Sequence, residues 1–384
     1  MRIGIDARPL GPQRTGIGNY VYGLVQQLPR VAPEHDFLLY SNREIHSTDS
    51  EKNVWRRVDS RFRRIPGTLW LLGRGGRLAR RDKLDVFWST AAVLPLWIPK
   101  DVLKVVTVYD LVWRRFPETM EVLNLWNQRM VSEPAIRGCD RIVVISHSTG
   151  SDLTKFLGVP PERISLVYPS SFEEFKLHDP CASADHISRK YGVPQRYMAA
   201  VGTVEPRKNL SLLVRALQLL KRNGRLHCPL LIAGAKGWKN SHLFGEVRES
   251  GLTEKEIRFL GYMPNEDLPL FYAGAQVFLF PSFYEGFGIP LLEAMACGTP
   301  IIASNAEPMP EVLGDAGILE PPYSAERFAE SMTKVLADGN LRCRMREQGI
   351  NRVKTFRLEA SARQLLAVLT AVQNGANVCR GETG

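Results

Sequence analysis

Short apolar runs alternate with longer amphipathic stretches from the first residues onward. Segments 3–6, 37–40, 86–89, 105–109 and 142–146 are apolar nearly throughout, as strands covered on both faces of a parallel sheet must be. Segments 19–28 and 123–136 carry apolar residues at helical spacing. The pattern then starts again. Strands are predicted at 198–201, 229–233, 257–260, 277–280 and 300–303, and helices at 210–220, 266–274 and 291–296. Strand–helix alternation on this scale predicts an α/β protein with doubly wound parallel sheets, and two successive series predict two such domains.

A chain of 384 residues fits that count, since single cores stop growing well before this length. The expected domains are 1–175 and 190–355. A junction falls in 169–194, a stretch rich in Pro, Ser, Asp and His with no clear period. A last helical run at 358–372, within a segment 356–375, is expected to pack back on the first domain, with a frayed tail beyond Asn374.

Composition narrows the setting. No stretch approaches the roughly 20 uninterrupted apolar residues of a membrane span. The most apolar region, 91–112, is broken by Lys100, Asp101, Lys104 and Asp110. The 6 cysteines form no CxxC pair, and no histidines stand at metal-ligand spacing, so a structural metal and a disulfide framework are not expected. With no apolar leader at the N-terminus, a cytoplasmic location is expected. The net charge of +10 calls for an anionic partner. Much of it sits in one segment that carries Arg56, Arg57, Arg61, Arg63, Arg64, Arg74, Arg77, Arg80, Arg81 and Lys83, opposed by Asp59 and Asp82. The segment starts at Trp55, and Phe62, Ile65, Leu69, Trp70, Leu71, Leu72 and Leu78 are interleaved with the basic residues. Such a segment is either a peripheral contact for an anionic membrane surface or a solvated basic loop or helix with a few core residues.

In open parallel sheets ligands sit beyond the carboxyl ends of the strands, so the residues just past those ends carry the chemistry. After the first strand comes Gly11-Pro-Gln-Arg-Thr-Gly16-Ile-Gly18. It lacks the Lys-Ser/Thr of a P-loop, and its Gly-x-Gly lies about ten residues past the strand, a poor match to a dinucleotide fingerprint, which leaves either a plain surface turn or a loop whose Gly16 and Gly18 bring amides to a phosphate ahead of a helix at Asn19. Val201-Gly-Thr-Val-Glu-Pro-Arg207-Lys208-Asn209 places two cations in a strand-to-helix turn, where an arginine fork and a compact ammonium can clamp a diphosphate without Mg²⁺. The most specific segment runs Phe280-Pro-Ser-Phe-Tyr-Glu285-Gly286-Phe287-Gly288-Ile-Pro-Leu-Leu-Glu293. Amides of Gly286, Phe287 and Gly288 at a helix N-terminus suit sugar hydroxyls and phosphate, and Glu293 on the following helix can accept both hydroxyls of a ribose diol.

With Glu285 and Glu293 eight residues apart and the Arg207-Lys208 pair upstream, the chain resembles the retaining GT-B enzymes of glycosyltransferase family 4 over essentially its whole length. The segments 304–311 and 314–317 are similar to that family as well. The resemblance implies two Rossmann-like domains facing a cleft, a nucleotide-sugar donor held mainly by the C-terminal domain, and an acceptor received by the N-terminal one. Arg207 and Lys208 would hold the diphosphate, Glu293 the ribose, and Glu285 with the Gly286, Phe287 and Gly288 backbone the transferred sugar. The family commonly has His before Asp110, whereas this chain has Tyr109, with an ordinary pKa of about 10 that makes it a poor base. That histidine's role therefore does not carry over, and Asp110 is a candidate contact for the acceptor or the sugar. Retention in the family is thought to need no protein nucleophile, because the leaving phosphate takes the acceptor's proton on the same face. His147, after another strand, is read as a hydrogen-bonded structural residue.

The expected activity is metal-independent transfer of a hexose from a nucleotide diphosphate sugar, GDP-mannose first, to a lipid-linked or polysaccharide acceptor in envelope or exopolysaccharide assembly. No separate cofactor and no nucleic acid are expected. The rivals are a nucleotide-sugar epimerase on the same fold and a degenerate sugar-nucleotide-binding subunit.

Overall fold

The computed structural model describes residues 1–12, 16–46, 52–170 and 173–380, with the backbone alone for 372–380. The chain divides into two compact units, Met1–Ser170 with Arg357–Gly384, and Ser171–Phe356.

The first unit begins β1 (Arg2–Asp6), α1 (Gly16–Val31), β2 (Asp36–Ser41), β3 (Val54–Val58), α2 (Gly67–Arg81), β4 (Val86–Ser89) and β5 (Leu103–Val108). It continues through α3 (Val112–Arg115), α4 (Val122–Asn127), α5 (Glu133–Gly138), β6 (Arg141–Val144), α6 (His147–Leu157) and β7 (Ile164–Leu166). All strands are parallel, in the order β3-β2-β1-β4-β5-β6-β7. Ile3, Ile5, Val86, Val105 and Val106 of the central strands are wholly buried, each worth about 1.5–3 kcal/mol for leaving water. The order reverses between β1 and β4, which makes the region past Asp6, Ser89 and Val108 this unit's ligand-binding edge.

The second unit holds α7 (Pro180–Tyr191), β8 (Met198–Val201), α8 (Leu210–Arg222), β9 (Leu230–Ala233), α9 (Ser241–Glu249), β10 (Ile257–Gly261) and α10 (Leu268–Gly274). It closes with β11 (Phe278–Phe280), α11 (Ile289–Ala296), β12 (Ile301–Ser304), α12 (Met309–Leu313), β13 (Ile318–Glu320), α13 (Ala325–Ala337) and α14 (Gly339–Val353). Its parallel sheet runs β10-β9-β8-β11-β12-β13 and reverses between β8 and β11. The final helix, α15 (Leu358–Arg380), belongs to the first unit, where Leu358 packs on Gly23 of α1 and Ser361 Oγ donates to the Tyr168 carbonyl at 2.7 Å.

Several local expectations change. The change of unit, at Ser170/Ser171, falls inside the 169–194 junction, but 12 residues of that stretch form helix α7, capped by Asp179 with Pro180 in its first turn and stopped by Gly192 at φ +61°. The helix foreseen at 123–136 is broken by a π-helical turn over Gln128–Ser132, between α4 and α5. Helix α1 starts at Gly16 rather than Asn19, so Gly16 and Gly18 occupy its first turn; Gln13, Arg14 and Thr15 of that loop lie outside the described residues. The last helix continues past Asn374 to Arg380, and residues 381–384 of the tail expected to fray lie outside the described residues.

The basic segment resolves into edge strand β3 and helix α2. Trp70, Leu71 and Leu78 are buried against Leu38, Tyr40 and Phe87, so part of the segment is core. Trp55, Ile65 and Leu69 stay exposed. Helix α2 keeps Gly75 and Gly76 because Pro95 and the Leu96-Trp97 backbone lie against them; a Cβ on Gly76 would come within 2.4 Å of the Leu96 carbonyl oxygen.

Candidate active site

Strand β8 ends at Val201, and the chain crosses under the end of β9 before turning into α8. Gly234, at φ +156°, permits this, since a Cβ there would lie 2.0 Å from the Gly202 carbonyl oxygen. Gly202 itself, at φ +144°, lets the methylenes of Lys208 lie across it, with Cε 3.2 Å from where a Cβ would stand. Asn209 holds the turn in the left-handed region at φ +53°. Its buried amide donates to the carbonyls of Pro281 (3.0 Å) and Pro322 (2.8 Å), tying this turn to the end of β11.

Arg207, Lys208 and Glu285 thereby meet at the point where the second sheet reverses. Arg207 Nη1 donates to Glu285 Oε2 at 2.6 Å and to the Tyr284 carbonyl at 2.9 Å, and its Nη2 donates to Glu205 Oε1 at 2.6 Å. Lys208 Nζ donates to Glu285 Oε1 at 2.7 Å and stands 5.3 Å from the centre of the Phe280 ring. Burial alone would push the Glu285 carboxyl up, but Arg207 and Lys208 bring it down to about 2. It is an ionised acceptor at neutral pH. The two cations are thus engaged by two carboxylates, Glu205 and Glu285.

Glu293, on the second turn of α11, is buried with the opposite balance. Desolvation dominates and lifts its carboxyl to about 7, against the hydrogen bond from Tyr272; the charge of Glu174 adds to the rise and that of Lys208 opposes it. Tyr272 Oη donates to Glu293 Oε2 at 2.8 Å. Gly288, at φ +97°, caps α11, and Gly286 and Gly288 are buried in the loop ahead of it. The Phe287 ring is core, packed edge-on against Phe356 with centroids 5.6 Å apart, so only its backbone can serve a ligand.

In the first unit, Tyr109 Oη donates to the Thr90 carbonyl at 2.7 Å and its ring meets Tyr20 edge-on at 5.9 Å. Burial, with Tyr20 and Asp6 nearby, pushes its hydroxyl well above the ordinary range. It bridges strand ends and is no base. Asp110 Oδ1 accepts the Val112 amide at 3.1 Å, an Asx turn into α3. His147 is exposed at the start of α6, edge-on to Tyr168, behind the Ser146 cap. Among the described residues no group of three or more His, Cys, Asp or Glu is placed to hold a metal ion.

Two family models match the chain in tandem: "Glycosyltransferase Family 4" over residues 14–170 and "Glycosyl transferases group 1" over 184–352. The O-antigen chain mannosyltransferase B of Escherichia coli is 30% identical over 380 residues, which span 95% of this chain and 98% of that protein. The chain belongs to glycosyltransferase family 4. A D-inositol 3-phosphate glycosyltransferase of Corynebacterium glutamicum (strain R) is 28% identical over 329 residues, 80% of this chain and 78% of the relative. The sucrose-phosphate synthase structure from Thermosynechococcus elongatus shares the fold, with a TM-score of 0.75 at 19% identity over 97% of this chain and 99% of that one. The fold class is GT-B, and this family member is a glycosyltransferase.

Two residues of this glycosyltransferase's candidate site escaped sequence reasoning. Glu205 sits inside the Glu-Pro-Arg-Lys run, and its position two residues before Arg207 was the available signal. Tyr272 had none, because a tyrosine on an apolar helix face reads as core until a buried carboxylate is found opposite it. Asn209 fills a structural role with a measurable cost: Asn209→Ala leaves two carbonyls without their donor, and thermal or urea unfolding should show a loss of about 1–3 kcal/mol.

Proposed function

We propose that this glycosyltransferase is a retaining, metal-independent hexosyltransferase that moves mannose from GDP-mannose to a lipid-linked or polysaccharide acceptor in envelope or exopolysaccharide assembly. The observation that carries the reading is the Arg207–Glu285–Lys208 cluster with Glu293 close by, at the reversal of the second sheet. Lys208 gives one of its three N–H donors to Glu285, so its ammonium can donate to a diphosphate oxygen while keeping the carboxylate. Arg207, clamped between Glu205 and Glu285, adds fixed positive potential. As the bond from the sugar to the phosphate breaks, charge builds on the departing diphosphate, and these cations stabilise it without a metal. The sugar passes through an oxocarbenium-like state, and a phosphate oxygen takes the acceptor's proton on the same face. Glu285, ionised at neutral pH, keeps the cations in place and accepts from a sugar hydroxyl. Ionised Glu293 accepts the ribose diol, and the backbone of Gly286, Phe287 and Gly288 serves the sugar.

The first unit takes the acceptor, with Asp110 and the α1 turn at Gly16 and Gly18 as its candidate contacts. Exposed Trp55, Ile65 and Leu69 among arginines suit a peripheral station on an anionic membrane surface, on the cytoplasmic face. No helix among the described residues is long and apolar enough to cross a membrane. The name of the Escherichia coli relative supports mannose and an envelope glycan, while the corynebacterial one keeps a phosphorylated small acceptor in the test panel.

The test supplies GDP-mannose and UDP-glucose, each labelled in the sugar, with a lipid-linked acceptor fraction. Label should pass from GDP-mannose into the glycolipid with the donor's anomeric configuration, read by NMR. Label recovered only as an altered free sugar nucleotide would mean an epimerase instead, and an inverted product would refute retention.

A further inference from the structure

We propose that the first unit carries a separate site for a phosphate group, in the pocket between edge strand β3 and helix α2. The pocket encloses about 470 Å³, within the range of small-molecule sites, and four arginines line it: Arg56 and Arg57 from β3, and Arg74 and Arg81 from α2. Arg74, Leu78 and Arg81 fall at i, i+4 and i+7, so a single face of α2 forms one wall. Arg56 and Arg57 lie beside Leu39 and Tyr40 of β2, near the carboxyl end of the sheet's outermost strand.

Two carboxylates also line the pocket, and each is already committed. Asp82 accepts from Tyr40 Oη at 2.7 Å and from Arg81 Nε and Nη2 at 2.9 and 3.0 Å. Asp59 accepts from Trp70 Nε1 at 3.3 Å and from Arg74, whose Nη2 stands 3.1 Å away. Both act as struts that fix guanidinium groups, and four cations against two anions leave a net positive wall. Arg57 shows the shortfall directly. Its Nε is buried and makes no hydrogen bond, with the nearest carboxylate oxygen, of Asp82, at 3.6 Å. The side chain as a whole is 35% exposed and faces Asp82, but this shielded N–H has no hydrogen-bond acceptor, which an anion's oxygen would supply.

Arginine forks match the oxygens of a phosphate group better than they match a carboxylate-free apolar ligand, and fixed forks lose little entropy on binding. The site is distinct from the Arg207 cluster. It lies in the other unit, on an edge strand two places from the reversal of its own sheet. The phosphate could come from solution or from a lipid headgroup. Trp55 and Leu69, 48% and 60% exposed on the same two elements, would reach acyl chains in the second case.

The test compares wild-type protein with Arg56→Gln and with Arg56→Gln/Arg74→Gln, none of which removes a core contact of Asp82. Inorganic phosphate is titrated by calorimetry with and without saturating GDP, which occupies the second unit, and flotation is measured with phosphatidylglycerol and phosphatidylcholine vesicles. Phosphate binding that persists beside GDP and weakens at least about tenfold in the double variant, the loss of roughly one charged hydrogen bond, would establish a site for soluble phosphate. Flotation with phosphatidylglycerol alone, weakened likewise and by salt, would identify a headgroup as the source. Wild-type protein that binds neither, or variants that bind both as well as wild type, would overturn the site. GDP affinity should be unchanged in the variants, so failure here is separable from failure of the nucleotide site.

Discussion

Lys208→Ala is expected to lower the rate of sugar transfer by about 10²–10³-fold, the usual loss when a preorganised donor to developing charge is removed. The reason lies in how the lysine is held. Its methylenes cross Gly202, its ammonium reaches Glu285 at 2.7 Å, and little of the side chain meets solvent. It therefore acts from a low-dielectric position without reorganising as the phosphate leaves. The loss should appear in both nucleotide affinity and turnover, since the ground-state diphosphate already carries charge. Lys208→Arg should restore little, because the larger fork has no room above Gly202 and beside Phe280. Glu285→Gln should separate the two effects. Removing the anion between the cations leaves nucleotide binding undiminished while transfer falls, because Arg207 and Lys208 lose the group that places them. Initial rates of labelled transfer, with KM for the donor, check both variants. Wild-type rates in Lys208→Ala would remove the cluster from the mechanism.

The second large effect is on pH. Glu293 has its carboxyl raised to about 7 by burial, and accepting both ribose hydroxyls favours its ionised form. Affinity for a nucleotide sugar should then fall as pH drops below about 7, by up to tenfold per unit, and level off above it. A nucleotide sugar is the right probe, because its diphosphate has no proton to lose in that range. Glu293→Gln should bind weakly at every pH and lose the slope. Folding responds to the same groups in opposite directions. Glu293 ionises near 4.5 when unfolded but near 7 when folded, so its contribution to stability declines as pH rises across that window. Glu285, held at about 2, contributes stability above 4.5 that is lost as pH falls toward 2. A slope that persists in Glu293→Gln would assign the titration to another group.

The central strands of both sheets were legible because strands covered on two faces are apolar throughout, as in 86–89 and 301–304. The edges were not. Strand β3 reads Val-Trp-Arg-Arg-Val, whose charges belong to an edge that faces water, and β7 and β13 are three residues long. Helix α2 hid behind its glycines, which cost helical propensity and are kept for the close approach of Pro95, Leu96 and Trp97. Helix α7 carried readable caps in Asp179, Pro180 and Gly192, but its polar composition argued for a linker. Of the candidate site, spacing brought out Arg207, Lys208, Glu285 and Glu293. What spacing could not give was their partnership: that Glu285 engages both cations, and that Tyr272 meets Glu293 from another helix. Those depend on tertiary contacts between turns 77 and 21 residues apart in the chain.

The central claim is that the β8–β11 reversal of the second unit binds a nucleoside diphosphate through Lys208 and Glu293. Calorimetric titration of the purified protein with GDP, UDP, dTDP and ADP, in the absence of metal, tests it directly alongside Lys208→Ala and Glu293→Ala. Selective binding of one nucleotide, GDP first, weakened in both variants, is the expected result. Absence of binding for all four nucleotides at millimolar concentration, or equal affinity in wild type and both variants, would contradict it.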